Sequence, residues 1–271
     1  MELKHTSTRV VTSKDGTRIA YEVLGQGPPL VFVAGALGSR SISFARKMRA
    51  ELAKSFTVYD YDRRGRGESG DTQPYSVARE IEDLAAMVEL AGGAPLVCGT
   101  SSGAALALEA AAAAIPMQLL VAHEPPYAVG DAAASFDRDY TKNVTRLVAE
   151  GRREEAVKYF MRTVGVPGFF VWMMRFMSFW KDAVAAAHTL PYDAAVINDF
   201  DLPEARLSTI RVPTVVLVGG STPPRLRTAA DAVARVVPGA IEHVVPKQNH
   251  GIKPEALRRA LSELVAAHGA A

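Results

Sequence analysis

The sequence predicts an α/β protein with a mostly parallel, twisted sheet, helices on both faces and an inserted helical segment. Short apolar runs alternate with longer amphipathic runs, which is the pattern of parallel strands joined by crossover helices. Between residues 127 and 209 only helical runs follow one another, and the alternation then resumes at residue 212. We therefore expect residues 1–126 and 210–271 to form one α/β core, with residues 127–209 as a helical cap or lid.

The chain opens with an expected antiparallel edge. Residues 9–12 and 17–24 alternate and are rich in β-formers, and Lys14-Asp15-Gly16 between them is typical of a hairpin turn. Further strands are predicted at residues 30–33, 56–61, 95–98, 119–122, 212–219 and 241–245. Core helices are predicted at residues 40–54, 76–90, 104–114, 225–237 and 254–268, and helical runs of the insertion at 136–150, 152–164 and 182–188.

Composition limits the partners and the compartment. The 271 residues are enough to bury a sizeable core, and a net charge of +2 gives no reason to expect nucleic acid or an anionic membrane. Cys98 is the single cysteine, so no internal disulfide can form and a reducing compartment is expected. The first eight residues lack the apolar core of a signal peptide, and no apolar stretch is long enough to span a bilayer. We expect a cytoplasmic monomer or homodimer.

A glycine-flanked serine joins one predicted strand to the next helix. Gly99-Thr100-Ser101-Ser102-Gly103 is a G-x-S-x-G pentapeptide that lies between an apolar run and an alanine-rich run. So tight a turn leaves no room for Cβ atoms at its flanks, which explains the two glycines. The turn would lift the Ser101 hydroxyl to the C-terminal edge of the sheet. A plain glycine-rich connector is the alternative interpretation.

Four motifs in order resemble those of the α/β-hydrolase superfamily, from about residue 9 to the C-terminus. They are the small-residue loop after Val33, the loop Asp62-Arg-Arg-Gly-Arg-Gly-Glu-Ser69, the pentapeptide around Ser101, and Asn249-His250-Gly251. The arginine-rich loop is the most specific of them. In this superfamily the loop is mainly architectural, so we expect its arginines to pack beside the site rather than to bind phosphate.

A serine nucleophile needs a neighbouring base. Among six histidines, His250 lies in a polar loop between the last predicted strand and the last helix, which is the position of the base in the superfamily. The resemblance therefore implies that His250 accepts the proton of Ser101. His123 ends a predicted strand beside the same site and is the rival, either as base or as a pocket residue.

The acid of a triad orients the imidazole of the base and stabilises its cationic form. In the superfamily it most often follows the strand that matches residues 212–219, but here no carboxylate occurs before Asp231. Some members, such as haloalkane dehalogenases, place it one strand earlier, which implies Glu124. The alternative is that Glu124 is a loop carboxylate or a helix cap. Weaker candidates lie in the inserted segment: Asp193, Asp199 and Asp201.

The resemblance assigns the oxyanion hole to the backbone N–H groups of Ser102 and Ala36. The His-Gly of the superfamily is replaced by Ala34-Gly35, but a backbone donor survives that change. An aromatic and methionine run over residues 169–180 is expected to roof an apolar pocket in part. The candidate pocket residues are Leu37, His123, Trp172 and Phe176.

The predicted function is that of a carboxylesterase-like serine hydrolase. Ser101 would attack an ester, thioester or related acyl carbon of a small, largely apolar substrate, and no metal or organic cofactor is required. The same Ser–His–Glu triad would also serve a C–C bond hydrolase or a cofactor-free perhydrolase. A non-hydrolytic binding protein that reuses the fold is the alternative from another class.

Overall fold

Eight strands form one sheet in the computed structural model, which describes residues 8–131, 133 and 137–269. The strands are β1 (Arg9–Thr12), β2 (Arg18–Leu24), β3 (Pro29–Val33), β4 (Thr57–Tyr61), β5 (Leu96–Thr100), β6 (Leu119–His123), β7 (Thr214–Gly219) and β8 (Ile241–Val245). Their spatial order is β1-β2-β4-β3-β5-β6-β7-β8. β2 pairs antiparallel with β1 and β4, and all other pairs are parallel, so the predicted antiparallel edge is confirmed.

Helices cover both faces of the sheet. The first three are α1 (Ser43–Leu52), α2 (Val77–Leu90) and α3 (Ser102–Ala112). Between β6 and β7 come α4 (Tyr140–Ala149), α5 (Arg153–Thr163), α6 (Gly168–Met174), α7 (Phe179–Ala185), α8 (Leu190–Val196) and α9 (Glu204–Leu207). The last two are α10 (Pro224–Val236) and α11 (Pro254–Gly269).

β3 shows how the sequence produces two buried faces. Successive side chains of a strand point to opposite faces. Val31 and Val33 belong to the apolar cluster with residues of α2, α3, α10 and the inserted helices, whereas Leu30 and Phe32 belong to the cluster with α1 and α11. An unbroken apolar run is therefore what a parallel strand covered on both sides requires.

The segment inserted between β6 and β7 contains helices and no strand among its described residues. Phe136, where one helical run was predicted to begin, lies outside the described residues, and α4 starts at Tyr140.

Fewer side chains of the aromatic and methionine run are buried than the sequence suggested, because the seven-residue helix α6 turns only one side toward the rest of the protein. α6 buries Val171 but exposes most of its other large side chains. The exposed members of the run are Phe169, Phe170, Trp172, Met173, Phe176 and Met177.

The arginine-rich loop after β4 is architectural, as predicted. Arg63, Arg64 and Arg66 are all fully buried. Arg63 Nε donates to Glu80 at 2.6 Å, and Arg64 donates to Asp83 at 2.8 and 2.9 Å, so the first two arginines tie the loop to α2. A buried charge is tolerated only when it is paired and hydrogen-bonded, and these partners satisfy that condition. Over the described part of the chain, no helix is long and apolar enough to cross a membrane.

Candidate active site

Ser101 lies at a strained turn between β5 and α3. Its backbone has φ 55° and ψ −125°, a left-handed conformation that is uncommon for a residue other than glycine. A Cβ atom at Gly99 would lie 2.3 Å from the carbonyl oxygen of Gly103, and one at Gly103 would lie 2.3 Å from that of Val33. The Ser101 N–H donates to the carbonyl of His123 at 2.9 Å. The turn therefore requires both glycines, as the sequence predicted.

His250 and Glu124 meet at the C-terminal edge of the sheet. His250 follows β8 in the loop before α11, and Glu124 follows β6. His250 Nδ1 lies 2.7 Å from Glu124 Oε2, although 126 residues separate the two in the chain. The His250 side chain is 43% exposed and that of Glu124 is fully buried. The structure thus brings together the residues predicted as base and acid.

The second oxygen of Glu124 accepts hydrogen bonds from the end of β7 and from the loop that follows it. Glu124 Oε1 accepts a hydrogen bond from the Gly219 N–H at 2.9 Å and another from the Thr222 hydroxyl. Burial opposes ionisation of this carboxyl, but the hydrogen bonds from His250, Thr222 and Gly219 outweigh it and hold the pKa of Glu124 below its ordinary value. The loop that lacks the expected carboxylate supplies donors to Glu124 instead. Sequence reasoning missed Thr222 because hydroxyls in loops are common.

Ser101 and His250 line the same cavity. No hydrogen bond between their side chains occurs among the contacts of the described residues. In ligand-free enzymes such bonds are often long and tighten only with substrate.

His123 is the residue that the sequence offered as an alternative to His250 for the role of base. It is 1% exposed and does not line the cavity. Burial, partly opposed by the nearby Glu124 carboxylate, lowers the pKa of His123 to about 4, so its ring is neutral at neutral pH. Its Nε2 has no hydrogen-bond partner among the described residues and lies 3.7 Å from Glu124 Oε1. The ring stacks under that of His250, with centroids 6.0 Å apart.

The loop after β3 passes directly beside Ser101. A Cβ atom at Gly35 would lie 3.0 Å from Ser101 Cβ and 3.7 Å from Ser101 Oγ, a tight contact that glycine avoids. Ala36 and Ser102 both line the cavity. Neither of their N–H groups donates a hydrogen bond within the described part of the chain. Two unpaired N–H groups beside a serine are what an oxyanion hole needs.

Asp193 on α8 ties the inserted segment to the core beneath the site. Its carboxylate accepts from Arg66 Nη2 at 2.8 Å, from Arg63 Nη1 at 3.0 Å and from Ser102 Oγ at 2.7 Å. Burial opposes ionisation of Asp193, yet the charges of Arg66 and Arg63 and the Ser102 hydrogen bond hold the pKa of Asp193 below its ordinary value. Asp193 is therefore a structural carboxylate. The sequence had placed it among the weaker candidates for the acid. Its pairing spans 127 residues of sequence, which no local pattern reveals.

The cavity at Ser101 has a volume of about 740 Å³. The structure corrects all four predicted pocket residues, since none of them lines it. Leu37 and His123 are buried in the core, whereas the side chains of Trp172 and Phe176 are exposed to solvent. The inserted segment contributes instead a lining that is largely apolar: Tyr127, Tyr140, Phe160, Val164, Val166, Ala194, Ile197 and Phe200.

Two arginines in the lining were also missed, Arg162 on α5 and Arg225 on α10. Both lie in polar stretches of ordinary appearance, so their position at the cavity depends on how the helices pack. Among the described residues, no group of three or more His, Cys, Asp or Glu side chains is arranged to hold a metal ion.

Comparison with known proteins identifies the family of the chain. A crystal structure of an alpha/beta hydrolase from Sphaerobacter thermophilus DSM 20745 is 47% identical and superposes with a TM-score of 0.87, covering 94% of this chain and 99% of that one. A hydrolase from Pseudomonas aeruginosa PA01 shares the fold at 21% identity and a TM-score of 0.74, over 97% and 99% of the two chains.

A curated relative from Mycobacterium tuberculosis, named "Putative non-heme bromoperoxidase BpoC", is 33% identical over 92 residues. The match covers 34% of this chain and 35% of the relative, about a third of its length. A family model described as "Alpha/beta hydrolase family" matches residues 30–260, which is most of the chain. The chain belongs to the alpha/beta hydrolase family.

Proposed function

We propose that this hydrolase is a carboxylesterase-like serine enzyme that cleaves an ester, thioester or related acyl bond through an acyl-enzyme. The observation that carries the proposal is the 2.7 Å bond between His250 Nδ1 and Glu124 Oε2, beside a serine held at a strained turn in the same cavity. A buried carboxylate on Nδ1 selects the tautomer that leaves Nε2 free to accept a proton.

In the proposed reaction, Ser101 Oγ attacks the acyl carbon while His250 Nε2 accepts its proton. The N–H groups of Ala36 and Ser102 stabilise the negative charge that develops on the acyl oxygen. His250 then donates the proton to the leaving group as the tetrahedral intermediate collapses, and Glu124 stabilises the transient imidazolium. A water molecule, deprotonated by His250, hydrolyses the acyl-enzyme in the same way and frees Ser101.

The inserted segment acts in this proposal as a cap, because its helices supply most of the cavity's apolar lining. Residues 127–209 are accordingly proposed as the cap, with residues 1–126 and 210–271 as the hydrolase core.

The direct test compares turnover of p-nitrophenyl acetate and butyrate by the wild type and by Ser101→Ala. Loss of turnover in the variant, with an unchanged thermal melt, is expected. Equal activity of the two proteins would remove Ser101 from the mechanism.

Cofactor-free perhydrolysis on the same triad is the second candidate, and the local similarity to the mycobacterial bromoperoxidase favours it. In that reaction hydrogen peroxide replaces water in the attack on the acyl-enzyme. Bromination of monochlorodimedone in acetate with hydrogen peroxide and bromide, dependent on Ser101, would support it, because the peracid formed oxidises bromide to the brominating species. An inactive protein in which Glu124 lies far from His250 would favour the binding-protein alternative, so the 2.7 Å contact counts against it.

A further inference from the structure

Arg225 brings a positive charge to the cavity at Ser101 without a carboxylate partner among the described residues. Its guanidinium donates to the backbone carbonyls of Thr163, at 3.4 Å, and of Val164. Burial lowers the pKa of Arg225, and no neighbouring acid offsets that effect. An arginine nevertheless stays protonated in a protein, so the charge persists at the cavity wall.

Arg162 adds a second cation to the lining of the same cavity. It lies in the last turn of α5, and its exposed side chain makes no ion pair or hydrogen bond with any of the described residues. The two arginines lie on different parts of the fold, because α5 belongs to the inserted segment and α10 belongs to the core. Gly165, with φ 89°, leaves room for the Arg225 guanidinium, because a Cβ there would lie 3.1 Å from Arg225 Nη2.

The acidic groups of the cavity are engaged elsewhere. Asp193 is neutralised by the two buried arginines that follow β4, as described above. Asp137, at the exposed edge of the cavity, accepts from the Tyr159 hydroxyl and from the N–H of Asp139. It makes no ion pair with Arg162 or Arg225. Arg225 is half-buried without a counter-charge, which is unfavourable, and an anionic ligand would relieve that cost through charge-assisted hydrogen bonds from Arg225 and from the exposed Arg162.

We infer that the substrate of the proposed serine hydrolase is an acyl compound with an apolar chain and an anionic group, such as a half-ester of a dicarboxylic acid. Arg225 and Arg162 bind its carboxylate where α5 meets α10. Phe160, Val166 and Leu226 line the cavity beside them and contact the chain. This substrate class rests on the serine mechanism proposed above. It replaces the largely apolar substrate that the sequence predicted.

The test uses two substrates of equal acyl length, mono-p-nitrophenyl glutarate, which carries a carboxylate, and neutral p-nitrophenyl valerate. The wild type is expected to favour the glutarate in kcat/KM by about tenfold or more, the factor that one charge-assisted hydrogen bond supplies. Arg225→Gln and Arg162→Gln are each expected to reduce that ratio about fivefold or more. Arg235→Gln, an exposed change on α10 outside the cavity, is the matched control and should leave the ratio unchanged.

Arg225 also joins the core to the inserted segment, so its loss could alter the fold. Arg225→Lys keeps the charge and is expected to retain part of the preference, and Arg162→Gln breaks no side-chain hydrogen bond or ion pair of the described residues. A wild-type ratio near one, with turnover that still depends on Ser101, would overturn the carboxylate site and leave the serine mechanism standing. A ratio unaffected by both glutamine variants would also overturn it.

Binding provides a readout that does not need catalysis. Valerate and valeramide differ in charge but little in size, and their affinities for the wild type and for Ser101→Ala can be measured by titration calorimetry. Valerate is expected to bind about tenfold more tightly to both proteins. Equal affinity would refute the carboxylate site even if neither ester were hydrolysed, whereas valerate preference without any hydrolysis would refute only the serine mechanism.

Discussion

Replacing Glu124 by glutamine tests the pairing on which the proposed mechanism depends. The glutamine oxygen can keep the hydrogen bonds from Gly219 and Thr222, so its NH2 group then faces His250 Nδ1. His250 Nδ1 must then accept a hydrogen bond, which moves the ring proton to Nε2 and blocks proton transfer from Ser101. The imidazolium also loses a charge-assisted bond worth about 1.5–3 kcal/mol.

With the cost of the wrong tautomer included, we expect a loss of about 4–5 kcal/mol, or about 10³- to 10⁴-fold in kcat/KM. The assay is p-nitrophenyl butyrate hydrolysis at neutral pH, with circular dichroism and a thermal melt to establish that the variant folds. Glu109→Gln is the matched control, since Glu109 is also a buried glutamate but pairs with Arg206 away from the cavity. A folded Glu124→Gln protein that retains more than about a tenth of wild-type activity would refute the assigned role of Glu124.

Three further changes test the fold around the site. Gly103→Ala places a methyl group 2.3 Å from a backbone carbonyl and should cost more than about 2 kcal/mol in urea unfolding, whereas Gly168→Ala, with nothing within 4 Å, should not destabilise. His123 is neutral in the fold, because burial holds its pKa at about 4, but in the unfolded chain it gains a proton below pH 6.5. Stability should therefore fall by about 2 kcal/mol from pH 7 to pH 5 through this group, and His123→Asn, unlike His243→Asn, should remove that part of the loss. Asp193→Asn leaves the buried Arg66 without a counter-charge and should cost about 3–5 kcal/mol; a loss below about 1 kcal/mol in urea unfolding would contradict its structural role.

The sequence predicted the sheet and the turn at Ser101 well, because both depend on local patterns. Short, fully apolar runs placed β3 and β5, and the glycines at 99 and 103 have a steric reason that is visible in the pentapeptide. Glu124 and His250 were identified through the resemblance to the α/β-hydrolase superfamily, which places the acid and the base after strands whose ends meet at one edge of the sheet.

The cavity lining could not be predicted in the same way. The run around Trp172 is apolar enough to face a pocket, but α6 is so short that only Val171 turns inward. Arg162 and Arg225 lie on ordinary amphipathic helices, and their convergence depends on how the inserted segment packs against the core. Asp193 likewise finds its partners through tertiary packing.

The most direct test of the central claim is to treat the protein with a fluorophosphonate and map the adduct by mass spectrometry. The proposed mechanism predicts a single adduct on Ser101, absent from Ser101→Ala and formed much more slowly in His250→Ala. A wild-type protein that forms no adduct, or one that is modified at Ser102 instead, would contradict the assignment of Ser101 as the nucleophile.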